Sequence, residues 1–423
     1  MSGPLLQAPA LEMLKLLEEL AAFSAPGPGV TRLLYTPEWS GAQSFLRKRM
    51  AALDLATGTD EVGNLYGSLR GRDPQAKVIL TGSHIDTVVN GGAYDGAYGI
   101  AAALTAVDYL RRTFGQPRRT LEVVSFCEEE GSRFPLAYWG SGHVTGVYGP
   151  GSGADRSDAD GVELLAAMKS CGYGPGSVDP STGSPRSCAL RGDIGAFVEL
   201  HIEQGIVLEQ SGQQIGVVQA IAGQLRFTVK VGGTANHAGT TPMALRRDAV
   251  AGAAEMLLTL EQTAAAAGDP LVATAGRLEV YPNTPNVIPG RVLFTLDLRH
   301  SEAAALETYC AAVLLEFEAI AARRGLELHI TPTLQAAPAP MDSGLRSLLE
   351  NICRSQRRTY RSMVSGAGHD AQLFSPRCRA AMIFVPSQAG ISHSPDEYSS
   401  PQELAAGLDV LTAMLYELAY REE

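Results

Sequence analysis

The chain has 423 residues, with 45 acidic against 34 basic side chains and a formal net charge of -11; this balance excludes a phosphate-tracking nucleic-acid surface and points to small ligands. Its 45% hydrophobic and 19% charged content excludes the disordered and fibrous classes. The length exceeds that at which single cores stop growing, so two domains are expected.

Near the N-terminus "LEMLKLLEELAAF" places apolar residues at helical spacing, while Lys15, Glu18 and Glu19 interrupt any signal-peptide core; an amphipathic helix is predicted. "KVILTGS", "GIAAALTAVDYLRRTF" and "TLEVVSFC" then give the strand, helix, strand rhythm of a parallel sheet. Asp108 breaks the middle run, and no uncharged apolar stretch nears the roughly 20 residues of a bilayer span, so no membrane partner is expected. "AFVEL" and "AAMIFV" add two more short apolar strands, a type that suits a sheet covered on both faces. The stretches "SAPGPGV", "GPGSGADRSDADG" and "GPGSVDPSTGSP" read as loops.

From about residue 214 the pattern changes. "QLRFTVKV" alternates apolar and polar positions, as in a sheet with one wet face. There follow the helix "DAVAGAAEMLLTLEQTAAAA", the strands "VATAGRLEV" and "RVLFTLDLR", the helix "ALETYCAAVLLEFEAIAARR" and the strand "LELHITPTL". This β-α-β-β-α-β order is ferredoxin-like. The expected architecture is therefore an α/β domain from residues 1–213 and 334–423, with a mostly parallel sheet and helices on both faces, interrupted by an α+β domain at 214–333. The last helix opens on "SPQEL", where Ser400 and Glu403 form a capping box around Pro401. Six cysteines, Cys127, Cys171, Cys188, Cys310, Cys353 and Cys378, show no C-x-x-C spacing, which fits reduced thiols and a cytoplasmic location.

The chemistry collects where apolar strands stop. "KVILTGSHID" delivers His84 and Asp86, "VVSFCEEEG" delivers Glu128, Glu129 and Glu130, "AFVELHIEQG" delivers His201, and "MIFVPSQAGISH" leads to His393. In open α/β sheets ligands gather beyond the carboxyl ends of strands, so a metal site is expected. Histidine and carboxylate without cysteine suits zinc, manganese, cobalt or nickel. Asp95, between the glycines of "GGAYDGAYG", has neighbours small enough for close approach of an ion, and Asp86 can orient the His84 ring from behind. His143, His300 and His329 read as surface or satisfied core residues. "SGAGHDA" loosely matches a nucleotide fingerprint, but no good strand precedes it and no helix opens at its second glycine, so nucleotide binding is not expected; His369 and Asp370 serve the site's outer shell or brace a turn.

Taken together, "GSHIDTV", "GGAYDGAYG", "EEEGSRF", "ELHIEQG", "GTANHAGTTPM" and "ISHSPDE" resemble the amidohydrolase branch of the aminoacylase and carboxypeptidase metallopeptidase family. That branch holds N-carbamoyl-L-amino acid hydrolases, β-ureidopropionases and allantoate amidohydrolases. Within it, "EEEGSRFP" followed by "YWGSG" is more similar to the allantoate enzymes than to the carbamoylases, which tend to read "NEEGARF". The resemblance implies two divalent ions per subunit, Mn2+ or Zn2+ with Co2+ or Ni2+ also suitable. Asp95 would bridge them, Glu130 and His393 would complete one site, and His84 and His201 the other. It makes Glu129 the general base, although strict strand alternation sets Glu129 on the face opposite Glu128 and Glu130; a turn at Gly131 would relieve this. It implies substrate contacts from Gln204, His237, Asn286 and Arg299, with His237 an oxyanion donor supplied across a homodimer formed by the inserted domain, which acts as a lid. The implied substrate is a small ureido carboxylate, allantoate giving ureidoglycine, ammonia and carbon dioxide, with N-carbamoyl-L-amino acids, β-ureidopropionate or a peptide as alternatives. A binding protein that merely kept the fold would show erosion at Glu129 or Asp95, and both stand.

Overall fold

The apolar runs become the parallel centre of a nine-stranded sheet. The computed structural model describes residues 7–149, 151–180 and 182–421; Pro150 and Ser181, in two of the expected loops, lie outside the described residues. Leu121–Phe126, Val78–His84, Ile194–Ile202 and Arg379–Val385 lie side by side in that order, each pair parallel. Leu65–Leu69 and Ala56–Thr59 continue one edge antiparallel. On the other edge Ile215–Ile221 pairs antiparallel with Arg379–Val385 and carries Ala339–Pro340 and Tyr360–Ser365.

Every residue of Leu121–Phe126 is buried, as it must be in a strand covered on both faces. On one face Ala196, Val198, Leu200 and Ile202 share a core with Ile79, Val123 and the helix Ala97–Phe114. The helix Pro401–Ala419 packs beside that helix and on Arg379–Val385. The opposite face gathers Phe126 and Phe197 around Phe374, with Phe197 and Phe374 stacked at 4.3 Å. The N-terminal helix Gln7–Ala21 buries Met13, Leu16, Leu17 and Leu20, spacings of three, four and seven that make one apolar stripe. Pro401–Ala419 is capped as its sequence predicts. Glu403 N–H donates to Ser400 Oγ and Ser400 N–H to the Glu403 carboxylate, an arrangement that stabilises a helix start by about 1 kcal/mol.

The chain divides into two compact units. The second holds the antiparallel strands Glu327–Ala336, Gly223–Gly232, Arg291–His300 and Val272–Tyr281 in that order, the ferredoxin-like arrangement. The helices Ala249–Ala267 and Ala303–Arg324 cover one face, burying Val229, Val292, Phe294 and Leu296 against Met256, Leu260 and Phe317. Val272–Tyr281 is largely exposed.

The unit boundaries differ from the expected 214 and 333. The second unit spans Ala220–Pro340 together with Val364–Gly368. The reason is Ile215–Ile221, which sequence reading assigned to the insertion. It bonds to Arg379–Val385 through Val217 opposite Ile383, so most of it belongs to the first unit's sheet. A strand, Tyr360–Ser365, also precedes "GAGHDA" where none was expected; the helix after it, Ala371–Phe374, is only four residues long and opens beyond both glycines. Among the described residues no helix is long and apolar enough to cross a membrane, and the six cysteines form no disulfide.

Candidate metal centre

Register brings the first two imidazoles together. Leu80 lies opposite Phe197 and Thr81 opposite Val198 in the parallel pair, and continuing that register sets His84 beside His201 on the same face. Their rings stack with centroids 5.9 Å apart. His84 Nδ1 lies 3.1 Å from the Asp86 carbonyl and His201 Nδ1 2.9 Å from the Ile202 carbonyl. A carbonyl only accepts, so each Nδ1 donates and each Nε2 is left with a lone pair. Both lone pairs face Asp95 Oδ1, at 3.3 Å from His84 and 3.2 Å from His201. Gly96 N–H donates to His201 Nε2 at 3.1 Å, which takes up part of that lone pair; the lone pairs of His84 Nε2 and Asp95 Oδ1, at 2% and 5% exposure, repel one another unless a cation or a proton sits between them.

Asp95 also faces a second group. His393 Nε2 stands 3.3 Å from Asp95 Oδ2 and 3.3 Å from Glu130 Oε1. His84, Asp95 and His201 form one triad able to hold a metal ion, and Asp95, Glu130 and His393 another; Asp95 is common to both. The ligand atoms of His84, Glu129 and Glu130 also lie within 4.8 Å of one another, which brings Glu129 to the edge of the cluster.

The three consecutive glutamates are separated by a change of direction rather than by strand alternation. The strand ends at Phe126, so the alternation that set Glu129 apart from its neighbours does not extend to it. Gly131 turns the chain at φ +67°, a conformation open to glycine. Asp86 fixes the turn, its carboxylate accepting from Glu129 N–H at 2.9 Å and Glu130 N–H at 3.1 Å while Oδ1 lies 3.3 Å from His84 Nδ1. Glu128 is buried and bonded to Ser132 N–H.

Electrostatics shows how the cluster compensates when protons do the work of a cation. Burial works against a charged His84, but hydrogen bonds to Asp86 and Asp95 overcome it and hold its pKa well above the ordinary value. Hydrogen bonds to Asp95 and Glu130 push His393 up to about 10. Burial keeps Asp95 from falling further, yet the three imidazoles hold it well below the usual carboxylate range. Burial, against the pull of His84, raises Glu129 well above that range, the direction expected of a carboxylate that takes up and releases a proton in catalysis.

Gln204 and His393 both hold left-handed backbone, at φ +57° and +54°, and strain of this kind in residues with a Cβ concentrates at functional sites. Gln204 Nε2 donates to Asp95 Oδ2 at 2.9 Å and lies 3.4 Å from His393 Nε2.

His237, Asn286 and Arg299 belong to the second unit. His237 and Asn286 meet on a two-stranded ribbon, where His237 pairs with Val287 and Ala238 N–H donates to the Asn286 carbonyl; both residues are exposed. Gly239 N–H donates to His237 Nδ1, so the ring carries its proton on Nε2 and presents a donor. Arg299 lies on a different sheet, its Nε and Nη2 bonded to the two Asp297 oxygens at 2.8 and 3.0 Å and its Nη1 to the Gly366 carbonyl. Arg226 also bonds Asp297, so two guanidinium groups share one carboxylate beside a cavity of about 620 Å³ lined by Phe227, Thr295 and Arg299.

Residues 80–417 match the model of peptidase family M20/M25/M40. The chain belongs to this family. An allantoate amidohydrolase from Escherichia coli K12 is 47% identical over 95% of this chain and 96% of its own length. An N-carbamoyl-L-amino acid amidohydrolase from Geobacillus stearothermophilus is 38% identical over 94% of this chain and 95% of its own. The crystal structure of a hydantoinase/carbamoylase family amidase from Burkholderia multivorans superimposes with a TM-score of 0.92 at 32% identity, covering 98% of each chain.

Two buried acids of this M20/M25/M40 chain escaped the sequence reading. Glu199 lies two residues before His201 on the same strand face and accepts from Ser83 Oγ and Ala371 N–H; the period-two spacing was a signal for it. Glu397, the last residue of "ISHSPDE", accepts from the main chain at Tyr94 and Asp95. His369 is buried edge-on to His201 at 4.6 Å, with Asp370 buried next to it. His143 is half-buried against Trp139, its Nδ1 bonded to the Trp139 carbonyl, and His300 Nδ1 accepts from Glu302 N–H.

Proposed function

We propose that this chain is a metal-dependent amidohydrolase that cleaves a ureido C–N bond of allantoate, yielding ureidoglycine, ammonia and carbon dioxide. The observation that carries the chemistry is the convergence of two three-residue ligand sets on Asp95. The choice of substrate follows the relative named allantoate amidohydrolase, 47% identical along nearly the whole chain.

The donor set fits divalent ions. Imidazole Nε2 lone pairs and carboxylate oxygens face inward without cysteine, a set that suits Mn2+ or Zn2+ and also accepts Co2+ or Ni2+. His84 and His201 would hold one ion, Glu130 and His393 the other, with Asp95 shared. Bound there, the ions supply Lewis acidity, lowering the pKa of a water and polarising the carbonyl under attack.

Glu129 accepts the proton of the attacking water and returns it to the departing nitrogen, a task in keeping with its raised pKa, and the carbamate left by this cleavage breaks down to ammonia and carbon dioxide. Asp86 keeps Glu129 aimed through the bond to its N–H. His237, with its proton on Nε2, meets the developing oxyanion. Arg299 and Asn286 hold the substrate carboxylate and Gln204 contacts the ureido end, which fixes the reacting carbonyl in place. In this reading the second unit is a lid and the contact surface of a homodimer that supplies His237 from the other copy. The reaction takes place in the cytoplasm, where the unpaired cysteines remain reduced.

The 38% identity to an N-carbamoyl-L-amino acid amidohydrolase favours a second reading, the same mechanism on that substrate. Ammonia release from allantoate, N-carbamoyl-L-amino acids and β-ureidopropionate, measured side by side, decides between them. The expected result is a kcat/KM at least about tenfold higher for allantoate, the discrimination that a modest difference in pocket contacts provides. A preference for N-carbamoyl-L-amino acids would move the assignment to the second reading.

A further inference from the structure

The candidate ligands sit at strand ends and on the loops that follow them, and their mutual positions are set in different ways. Val78–His84 and Ile194–Ile202 are adjacent strands whose ladder runs as far as Thr81 opposite Val198, three residues before His84 and His201, so neighbouring strand ends set these two rings, which stack at 5.9 Å. Asp95 and His393 have no such ladder between them. The loop with Asp95 follows Val78–His84 and the loop with His393 follows Arg379–Val385, and Ile194–Ile202 separates these two strands in the sheet.

Glu397 joins the two loops. Its Oε1 accepts from Tyr94 N–H at 3.0 Å and Asp95 N–H at 3.1 Å, 303 and 302 positions away in the chain. Its Oε2 accepts from Ser392 Oγ at 2.8 Å, the residue before His393. The side chain is 6% exposed, and a buried carboxylate is costly unless its oxygens are satisfied. The opposing loop makes room for it. A Cβ on Gly92 would fall 2.0 Å from Glu397 Oε1, so a larger residue there would displace the carboxylate.

We propose that Glu397 is a positioning residue that holds the Asp95 loop in register with the His393 loop, and that it thereby governs the ion position formed by Asp95, Glu130 and His393 more strongly than the one formed by Asp95, His84 and His201. This rests on the dinuclear reading above.

The test is Mn2+ titration of chelator-stripped protein by calorimetry, with ions per subunit counted by elemental analysis and electron paramagnetic resonance used to separate a coupled ion pair from an isolated ion. Wild type takes up two ions. Glu397→Ala keeps one at nearly wild-type affinity and binds the other about 10- to 100-fold more weakly, the usual effect of losing a residue that orients ligands; its spectrum becomes that of an isolated ion. Gly92→Ala, which removes no polar group, gives the same pattern. Glu397→Gln keeps an oxygen for both N–H groups and binds both ions like wild type. Circular dichroism establishes that each variant is folded, and should Glu397→Ala fail to fold, Gly92→Ala and Glu397→Gln carry the comparison. Equal weakening of both ions, wild-type affinity in both alanine variants, or a glutamine variant as defective as alanine would overturn the inference. Fewer than two ions in wild type would instead sink the dinuclear reading itself.

Discussion

The two units treat their chemical groups in opposite ways. In the first, Asp86, Asp95, His84, His201 and Glu129 are all between 0 and 8% exposed, and main-chain partners orient three of them: the Asp86 carbonyl for His84, the Ile202 carbonyl for His201 and Glu129 N–H for Asp86. In the second, His237 and Asn286 are exposed and Arg299 is half-buried. Buried ionisable groups must be paired or neutralised, so changes to the first unit's site should act on folding as well as on the proposed ions. Groups near solvent carry little of that cost, and changes to them should act on substrate alone.

Removing the ions is the strongest test of this contrast. Chelation should abolish activity, and readdition of Mn2+ or Zn2+ should restore it. An ion at about 1,000 times its Kd stabilises by about 4 kcal/mol, so the melting temperature should fall in parallel. The pH dependence has a definite sign. His393 in the ion-free protein is raised from 6.5 to about 10, so the folded state binds this proton more tightly than the unfolded chain. Its contribution is complete below about pH 6.5 and is lost as pH rises towards 10. Thermal melts of the stripped protein across that window should show the decline, and melts of the reconstituted protein should show much less of it. Identical melting profiles with and without ions would break the comparison at its root.

Glu129 gives a sharper cut within the first unit, since it is buried like the ligands but proposed to move a proton rather than hold an ion. Glu129→Gln should lower kcat about 10²- to 10⁴-fold, the range of general-base catalysis, with ion content close to wild type. Loss of the ions together with activity would make Glu129 a ligand instead.

Much of this contrast could be read before any coordinates. The strands that deliver His84 and His201 are short, apolar and bounded by turn residues, and a parallel sheet brings the carboxyl ends of such strands together. The ferredoxin-like order was equally legible, because its helices are long and its strands alternate. Ile215–Ile221 was not, since its partners at Ile383 and Ala339 lie more than a hundred residues further along the chain and nothing local marks them. Glu397 escaped for the same reason. Its sequence context, a glutamate two residues after a proline, is that of an exposed turn, and only the approach of Tyr94 and Asp95 from the far end of the chain buries it. The glutamate triplet was legible in part: alternation does not extend past Phe126, where the strand stops, but the turn expected at Gly131 is present.

Arg299 supplies the smallest expected effect and the cleanest test of the second unit. Its guanidinium is held by Asp297, and that carboxylate also receives Gln224 Nε2 and Arg226 Nε. Arg299→Ala therefore does not leave Asp297 without partners, and folding stability should be nearly unchanged. A lost hydrogen bond to a charged group corresponds to about 1.5–3 kcal/mol, so KM for a carboxylate substrate should rise roughly 10- to 150-fold, with ion content and melting temperature at wild-type values. Arg299→Lys should recover only part of the loss, because an ammonium keeps the charge but not the planar fork that bonds both Asp297 oxygens. If Arg299→Ala lowered ion affinity as much as it raised KM, the second unit's more accessible groups would share in the proposed metal centre, and the division between buried ligands and more accessible substrate contacts would have to be withdrawn.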